Sequence, residues 1–286
     1  MLPFLRWRRP AFALLLALFA GCAGFDTLDA QQRKWIFNAH PYYGEAVEDS
    51  AEADARHVWI EHRSAESGAQ VKLHGLWLPR DDDPKAPVLL YLHGAGRSID
   101  DSTYRIEHMR ELGFSVLAID YRGWGRSTNE LPSERAVYED ARAAWAWLAK
   151  NQPERPRYLF GHSLGGAIAI QLATEVPDAR GLIVEGTFTS IPDVFESMRW
   201  GWLPIGPLIT QRFESIAKID KVKAPILVVH GTRDGLIRPA LARTLYERAP
   251  EPKRFVLVEG GTHYSTNAMA DSAYRHALKD LFGIGS

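Results

Sequence analysis

Apolar positions along the chain follow two alternating patterns. Short continuous runs rich in Val, Ile and Leu occur at 88–92, 114–119, 158–160, 182–184, 226–229 and 255–258. Runs of this kind, with no polar residue at every second place, are those of strands buried on both faces of a mostly parallel sheet. Two earlier segments, 57–63 and 70–78, flank Ser67-Gly68 and predict a hairpin. Between the runs lie patterns of helical period. The stretch 133–150 sets Val137, Ala141, Ala144 or Trp145, and Leu148 on one stripe, with Ser133 placed to cap its start. The segments 164–175, 240–249 and 268–282 read the same way. Strand and helix in alternation predict an α/β fold with a mostly parallel eight-stranded sheet flanked by helices. In such folds the site lies at the carboxyl ends of the strands.

Three stretches depart from the alternation. Residues 187–215 separate two strands and hold Phe188, Phe195, Trp200, Trp202, Leu203, Ile205, Leu208 and Ile209 among three prolines. Insertions of this length between core elements are usually functional. This one is either a helix pair over a sheet edge or a short cap whose apolar inner wall shapes an acyl pocket. Residues 24–54 are polar with scattered aromatics (Trp35, Phe37, Tyr42, Tyr43) and no period, which predicts a tether packing partly on the domain. At the N-terminus, Arg6, Arg8 and Arg9 precede an apolar run over 11–20 that stops at Gly21-Cys22. A basic start and a short apolar run predict a secretory signal peptide over 1–21. The run is about half of the ~20 residues that a membrane-spanning helix needs.

Composition narrows the function classes. The 286 residues are 46% hydrophobic and 24% charged, which excludes wholesale disorder. Lys plus Arg number 34 against 35 for Asp plus Glu, so the basic footprint of a nucleic-acid binder is missing. Cys22 is the only cysteine, which rules out an internal disulfide or a cysteine-built metal cluster. No histidine pair has metal-ligand spacing around a glutamate, and neither a metal nor a cofactor is expected.

The chemistry concentrates in loops that follow strands. Gly161-His162-Ser163-Leu164-Gly165-Gly166 comes directly after the run at 158–160 and opens the helix from 164. This is a G-x-S-x-G nucleophile elbow in its strand-turn-helix setting. The turn is too sharp for a Cβ on either side, and it lifts Ser163 Oγ to a helix N-terminus, where negative charge is favoured. A serine hydroxyl needs an adjacent base, itself oriented by an acid. Downstream, the run at 226–229 leads into His230-Gly231-Thr232-Arg233-Asp234, and the run at 255–258 leads into Glu259-Gly260-Gly261-Thr262-His263. Asp234 and His263 thus fall on the same sheet edge as Ser163, in the chain order Ser, Asp, His. Glu185, at the end of the preceding strand, is the alternative acid. His276, on the last helix, is the less favoured base. His230 reads as a packing residue, and His162 is given no proton transfer.

An oxyanion hole of preorganised N–H donors is the third requirement. His93-Gly94-Ala95-Gly96 follows the third strand and would set the Ala95 amide opposite that of Leu164. Asp120-Tyr121-Arg122-Gly123-Trp124-Gly125-Arg126-Ser127 reads as a structural turn, with Tyr121 or Trp124 as candidate substrate contacts.

These motifs make the chain similar to the α/β-hydrolase superfamily over 57 to 283. H-G-A-G, D-Y-R-G-W-G-R-S, G-H-S-L-G-G, T-F-T-S-I-P-D-V at 187–194, H-G-T-R-D and G-G-T-H resemble its serine-aminopeptidase-type branch, which includes depalmitoylase-like esterases. The resemblance implies a triad of Ser163, Asp234 and His263 and an acyl-enzyme mechanism. Leu18-Phe19-Ala20-Gly21-Cys22 in turn resembles the bacterial lipobox, with Phe19 where leucine is usual. It implies lipidation of Cys22, a tether over 22–56, and a hydrolase domain over 57–286 held at a membrane of the bacterial cell envelope, facing the periplasm or exterior. The expected function is hydrolysis of carboxylic esters or thioesters on a small-molecule or acylated substrate, with no nucleic-acid partner. A peptidase or amidase is the second reading, and a non-catalytic envelope binding protein the third.

Overall fold

The computed structural model describes residues 27–41, 55–199 and 201–285. The predicted signal peptide and Cys22 lie outside the described residues. Eight strands form one sheet: β1 (Arg56–Arg63), β2 (Gln70–Leu78), β3 (Val88–Leu92), β4 (Ser115–Ile119), β5 (Arg157–His162), β6 (Ala179–Glu185), β7 (Ile226–Gly231) and β8 (Lys253–Val258). Their order is β1-β2-β4-β3-β5-β6-β7-β8. β2 runs antiparallel to both β1 and β4, and every other pairing is parallel.

The central strands bury both faces, as their unbroken apolar runs require. In β3, Val88, Leu90 and Leu92 enter one core, and Leu89 and Tyr91 the other. The first core is closed by α3 (Glu134–Asn151), α4 (Leu164–Glu175) and α6 (Pro239–Arg248), and the second by α2 (Thr103–Glu111) and α8 (Asp271–Phe282). Ser133 caps α3 by accepting a hydrogen bond from the Ala136 amide. The last helical pattern breaks in two, a short α7 (Thr266–Met269) preceding α8.

Two segments differ from their sequence-based reading. Residues 27–37 form a helix, α1. The 187–215 insertion is one short helix, α5 (Ile191–Ser197), followed by tight turns at Gly206–Leu208 and Ser215–Ala217. α1 lies across the insertion. Asp29 accepts from the Thr210 hydroxyl and the Gln211 side chain, Gln32 Nε2 donates to Leu208 O, and Arg33 Nε donates to Pro132 O. Phe37, fully buried, closes the far end edge-on against Trp124 and Phe213.

Candidate active site

The parallel register fixes where the site forms. Leu92 stands opposite Gly161, His162 opposite Glu185, Glu185 opposite Val229, and Gly231 opposite Val258. The loops leaving β3, β5, β7 and β8 therefore emerge on one edge, carrying Ala95, Ser163, Asp234 and His263.

Ser163 occupies the sharpest of these turns. Its backbone sits at φ 55°, ψ −119°, a conformation that costs a non-glycine residue about 1–3 kcal/mol and persists only where its surroundings impose it. The flanking glycines have steric causes. A Cβ on Gly161 would lie 2.2 Å from Gly165 O, and one on Gly165 would lie 2.1 Å from Leu92 O. The turn is fastened by the Ser163 amide, which donates to Glu185 O, and by the Thr187 hydroxyl, which donates to Ser163 O.

His263 Nδ1 and Asp234 Oδ2 lie 2.7 Å apart. The other carboxylate oxygen accepts the Leu236 and Ile237 amides at 2.9 and 2.8 Å. Burial alone would raise the Asp234 carboxyl, but hydrogen bonds from His230 and His263 and the His263 charge outweigh it and hold the group well below its ordinary value. An ionised Asp234 fixes the proton of His263 on Nδ1 and leaves Nε2 as the basic nitrogen. Among the described residues no hydrogen bond joins the Ser163 hydroxyl to His263. Such contacts are often loose before substrate arrives.

His230 does more than pack. Its Nε2 donates to Ile237 O at 2.9 Å and lies 3.3 Å from Asp234 Oδ2, so it braces the acid. The i, i+4 spacing of His230 and Asp234 was the only sequence signal for this contact. Glu185, the alternative acid, makes no hydrogen bond to the His263 ring among the described residues. Fully buried, it takes Arg105 Nε at 3.0 Å, Asn267 Nδ2 at 3.0 Å and the Tyr274 hydroxyl. Arg105 in turn donates to the backbone oxygens of His263 and Tyr264, holding the histidine loop from behind. No motif announced Arg105. His162 is buried beside it, its Nε2 donating to His263 O at 3.0 Å. His276 is exposed on α8 and bonds back to Ser272 O.

The 93–96 loop approaches Ser163 closely: a Cβ on Gly94 would lie 3.1 Å from Ser163 Cβ. Among the described residues the Ala95 amide donates to no group, while the next amide, of Gly96, is held by Phe37 O. The Leu164 amide opens α4 and is one of the first-turn donors that a helix leaves without a partner. Ala95, Ser163 and Leu164 all border one cavity of about 200 Å³, whose remaining wall is apolar and includes Phe188, Val194 and Ile237. A second apolar cavity of about 320 Å³ adjoins it beneath α1, the two sharing Trp35, Ile36, Ile191 and Phe195. Residues 187–215 thus act as a cap wall together with α1, which the sequence did not foreshadow. Tyr121 and Trp124 border neither cavity. Both are fully buried, Tyr121 donating to His93 O, and Arg122 of the same turn pairs with Asp140 on α3 at 2.7 Å. That turn is structural. Among the described residues no group of His, Cys, Asp or Glu could hold a metal ion.

A parallel sheet with a strained serine at one strand end and a histidine–aspartate pair at two others defines an α/β-hydrolase, and the chain belongs to that superfamily. Residues 82–216 match the family model of serine aminopeptidase, S33. An uncharacterized protein of Mycobacterium tuberculosis is 34% identical over 261 residues, covering 89% of this chain and 87% of its own. The lysophosphatidylserine lipase ABHD12 of Danio rerio is 32% identical over 197 residues, covering 62% of this chain and 51% of that protein. Among solved structures, an esterase of Pyrococcus furiosus superposes with a TM-score of 0.66 at 20% identity, covering 86% of this chain and 98% of that one. The chain is a hydrolase of this fold.

Proposed function

We propose that the protein is a serine hydrolase that cleaves carboxylic esters or thioesters of apolar acyl groups through an acyl-enzyme. Ser163 Oγ attacks the carbonyl carbon as His263 Nε2 takes its proton. Asp234 keeps the imidazole in the required tautomer and stabilises the cation that forms. The Ala95 and Leu164 amides receive the oxyanion, and one such donor is typically worth about 2.7–4 kcal/mol. His263 then returns the proton to the leaving alcohol or thiol, and a water molecule repeats the sequence to free the acid.

The observation that carries this reading is the ionised Asp234 bonded to His263, on the edge where Ser163 borders an apolar cavity. The lipase relative supports an acyl ester as the substrate. A fluorophosphonate probe is expected to label the wild type and not Ser163→Ala. Labelling that survives the substitution would remove the nucleophile.

The anchoring reading rests on the Leu18–Cys22 sequence alone. A diacylglyceryl thioether on Cys22 with an N-acyl chain would hold the enzyme at the cell envelope, since two or more chains anchor stably where one does not. Radiolabelled palmitate is expected in the wild type and absent from Cys22→Ala. Equal incorporation into both proteins would reject lipidation at this residue.

A further inference from the structure

Two chemically different surroundings meet near Ser163. Ser163 borders an apolar cavity. Next to His263 in the chain, the Tyr264 ring meets the His263 ring edge-on at 5.2 Å between centroids, and the Arg97 guanidinium carbon lies 4.6 Å from the centre of that same tyrosine ring. We propose that Arg97, propped on Tyr264 beside His263, selects substrates whose leaving alcohol carries an anionic group, a carboxylate or a phosphate. The inference deepens the serine-hydrolase reading and rests on it.

The direction of the substrate follows from proton transfer. His263 hands its proton to the leaving oxygen, so the leaving group lies against the imidazole whatever the acyl group is. The acyl chain takes the apolar cavity, and the leaving group is directed towards the residues that flank His263. Tyr264 is half-exposed there, and Arg97 is partly exposed.

Arg97 is held for such a task. It follows Gly96, whose amide is bonded to Phe37 O, and precedes Ser98, whose amide and hydroxyl both donate to Asp101 Oδ2. That carboxylate is thereby engaged by Ser98, and among the described residues Arg97 forms no ion pair. The contact with the Tyr264 ring uses none of the guanidinium N–H donors, among the described residues none of them makes a hydrogen bond, and their fork matches a carboxylate or phosphate in two-point contact. Tyr264 is itself fixed, its backbone oxygen accepting from Arg105 and from the Tyr104 hydroxyl. The ring that supports the cation therefore belongs to the loop that carries His263, while Arg97 itself belongs to the loop that carries Ala95.

A series of octanoyl esters with one acyl group and different alcohols tests this on the purified full-length protein. The alcohols are choline, ethylene glycol, glycolate and 2-phosphoethanol, which span cationic, neutral, carboxylate and phosphate. The readout is the ratio of kcat/KM for each charged ester to that for the neutral one, so intrinsic ester reactivity cancels between variants. The wild type is expected to show a ratio for at least one anionic ester that falls tenfold or more in Arg97→Gln, recovers in part in Arg97→Lys, and gives way to the choline ester in Arg97→Glu. Raising the salt concentration should shrink the wild-type ratio. The glycolate and phosphate arms tell which anion is read. Ratios that stay within twofold of the wild type in Arg97→Gln overturn the proposal, including the case in which all esters slow equally because Arg97 only packs on Tyr264. Hydrolysis of the series by Ser163→Ala at the wild-type rate would instead overturn the serine-hydrolase reading.

Discussion

His162 adjoins Ser163 in sequence and contacts the His263 loop in space, yet its environment suits it for no proton transfer. Burial, then the Arg105 guanidinium and the His263 charge, push its imidazole well below the ordinary value of 6.5. The ring is therefore a neutral strut between the Ser163 and His263 loops. Linkage gives this a sign. In the unfolded chain His162 takes up a proton below about pH 6.5, and in the folded protein it does not, so the unfolded state binds more protons and stability is lost as pH falls through that window. Each pH unit there costs up to about 1.4 kcal/mol per such ring. His93 is shifted in the same direction, chiefly by burial, and adds to the slope. The Asp234 carboxyl is also held low, but it contributes only below its ordinary 3.8, outside this range. Urea denaturation is expected to show a lower midpoint at pH 5.5 than at pH 7.5, with the drop smaller in His162→Gln. An unchanged drop in that variant would mean that the ring protonates in the folded state.

Among the elements, α1 is the one whose role was hardest to read. Its apolar positions are Leu28, Ala30, Trp35, Ile36 and Phe37; Leu28, Trp35 and Ile36 share one face at i, i+7 and i+8, but Gln32 interrupts it at i+4 and the stripe is too sparse to stand out. The physical reason is visible in its contacts: Asp29, Gln32 and Arg33 attach it to the cap through hydrogen bonds, and only Phe37 is fully buried. A helix held by polar contacts leaves little apolar periodicity behind. Phe37→Ala should cost about 3–5 kcal/mol, the range for truncating a buried aromatic, because it empties the space between Trp124 and Phe213. Chemical denaturation measures this directly, and a loss below 1 kcal/mol would mean that α1 is not seated as described. β3 through β7, by contrast, were legible because burial on both faces forces an uninterrupted apolar run. The elbow was legible because the close approach at Gly161 and Gly165 admits no other residue.

Over the whole molecule, what the sequence revealed divides by distance along the chain. Motifs a few residues long located Ser163, Asp234, His263 and the 93–96 loop on one edge. Interactions between remote residues left no trace: Arg105 meets Glu185 eighty positions away, and Gln32 meets Leu208 across 176. The hydrogen bonds that hold the histidine loop from behind belong to this second kind. So does the choice between Asp234 and Glu185, for chain order allowed either, and only the buried guanidinium shows that Glu185 is already engaged.

The seating of α1 also bears on where the enzyme can be divided. The sheet begins at Arg56, and a boundary drawn there keeps every strand. It nevertheless discards Trp35 and Ile36, which wall both apolar cavities, and Phe37, whose carbonyl secures the loop ahead of Arg97. α1 is thus as much a part of the wall of both cavities as the cap is, and a body cut at Arg56 would lack that wall.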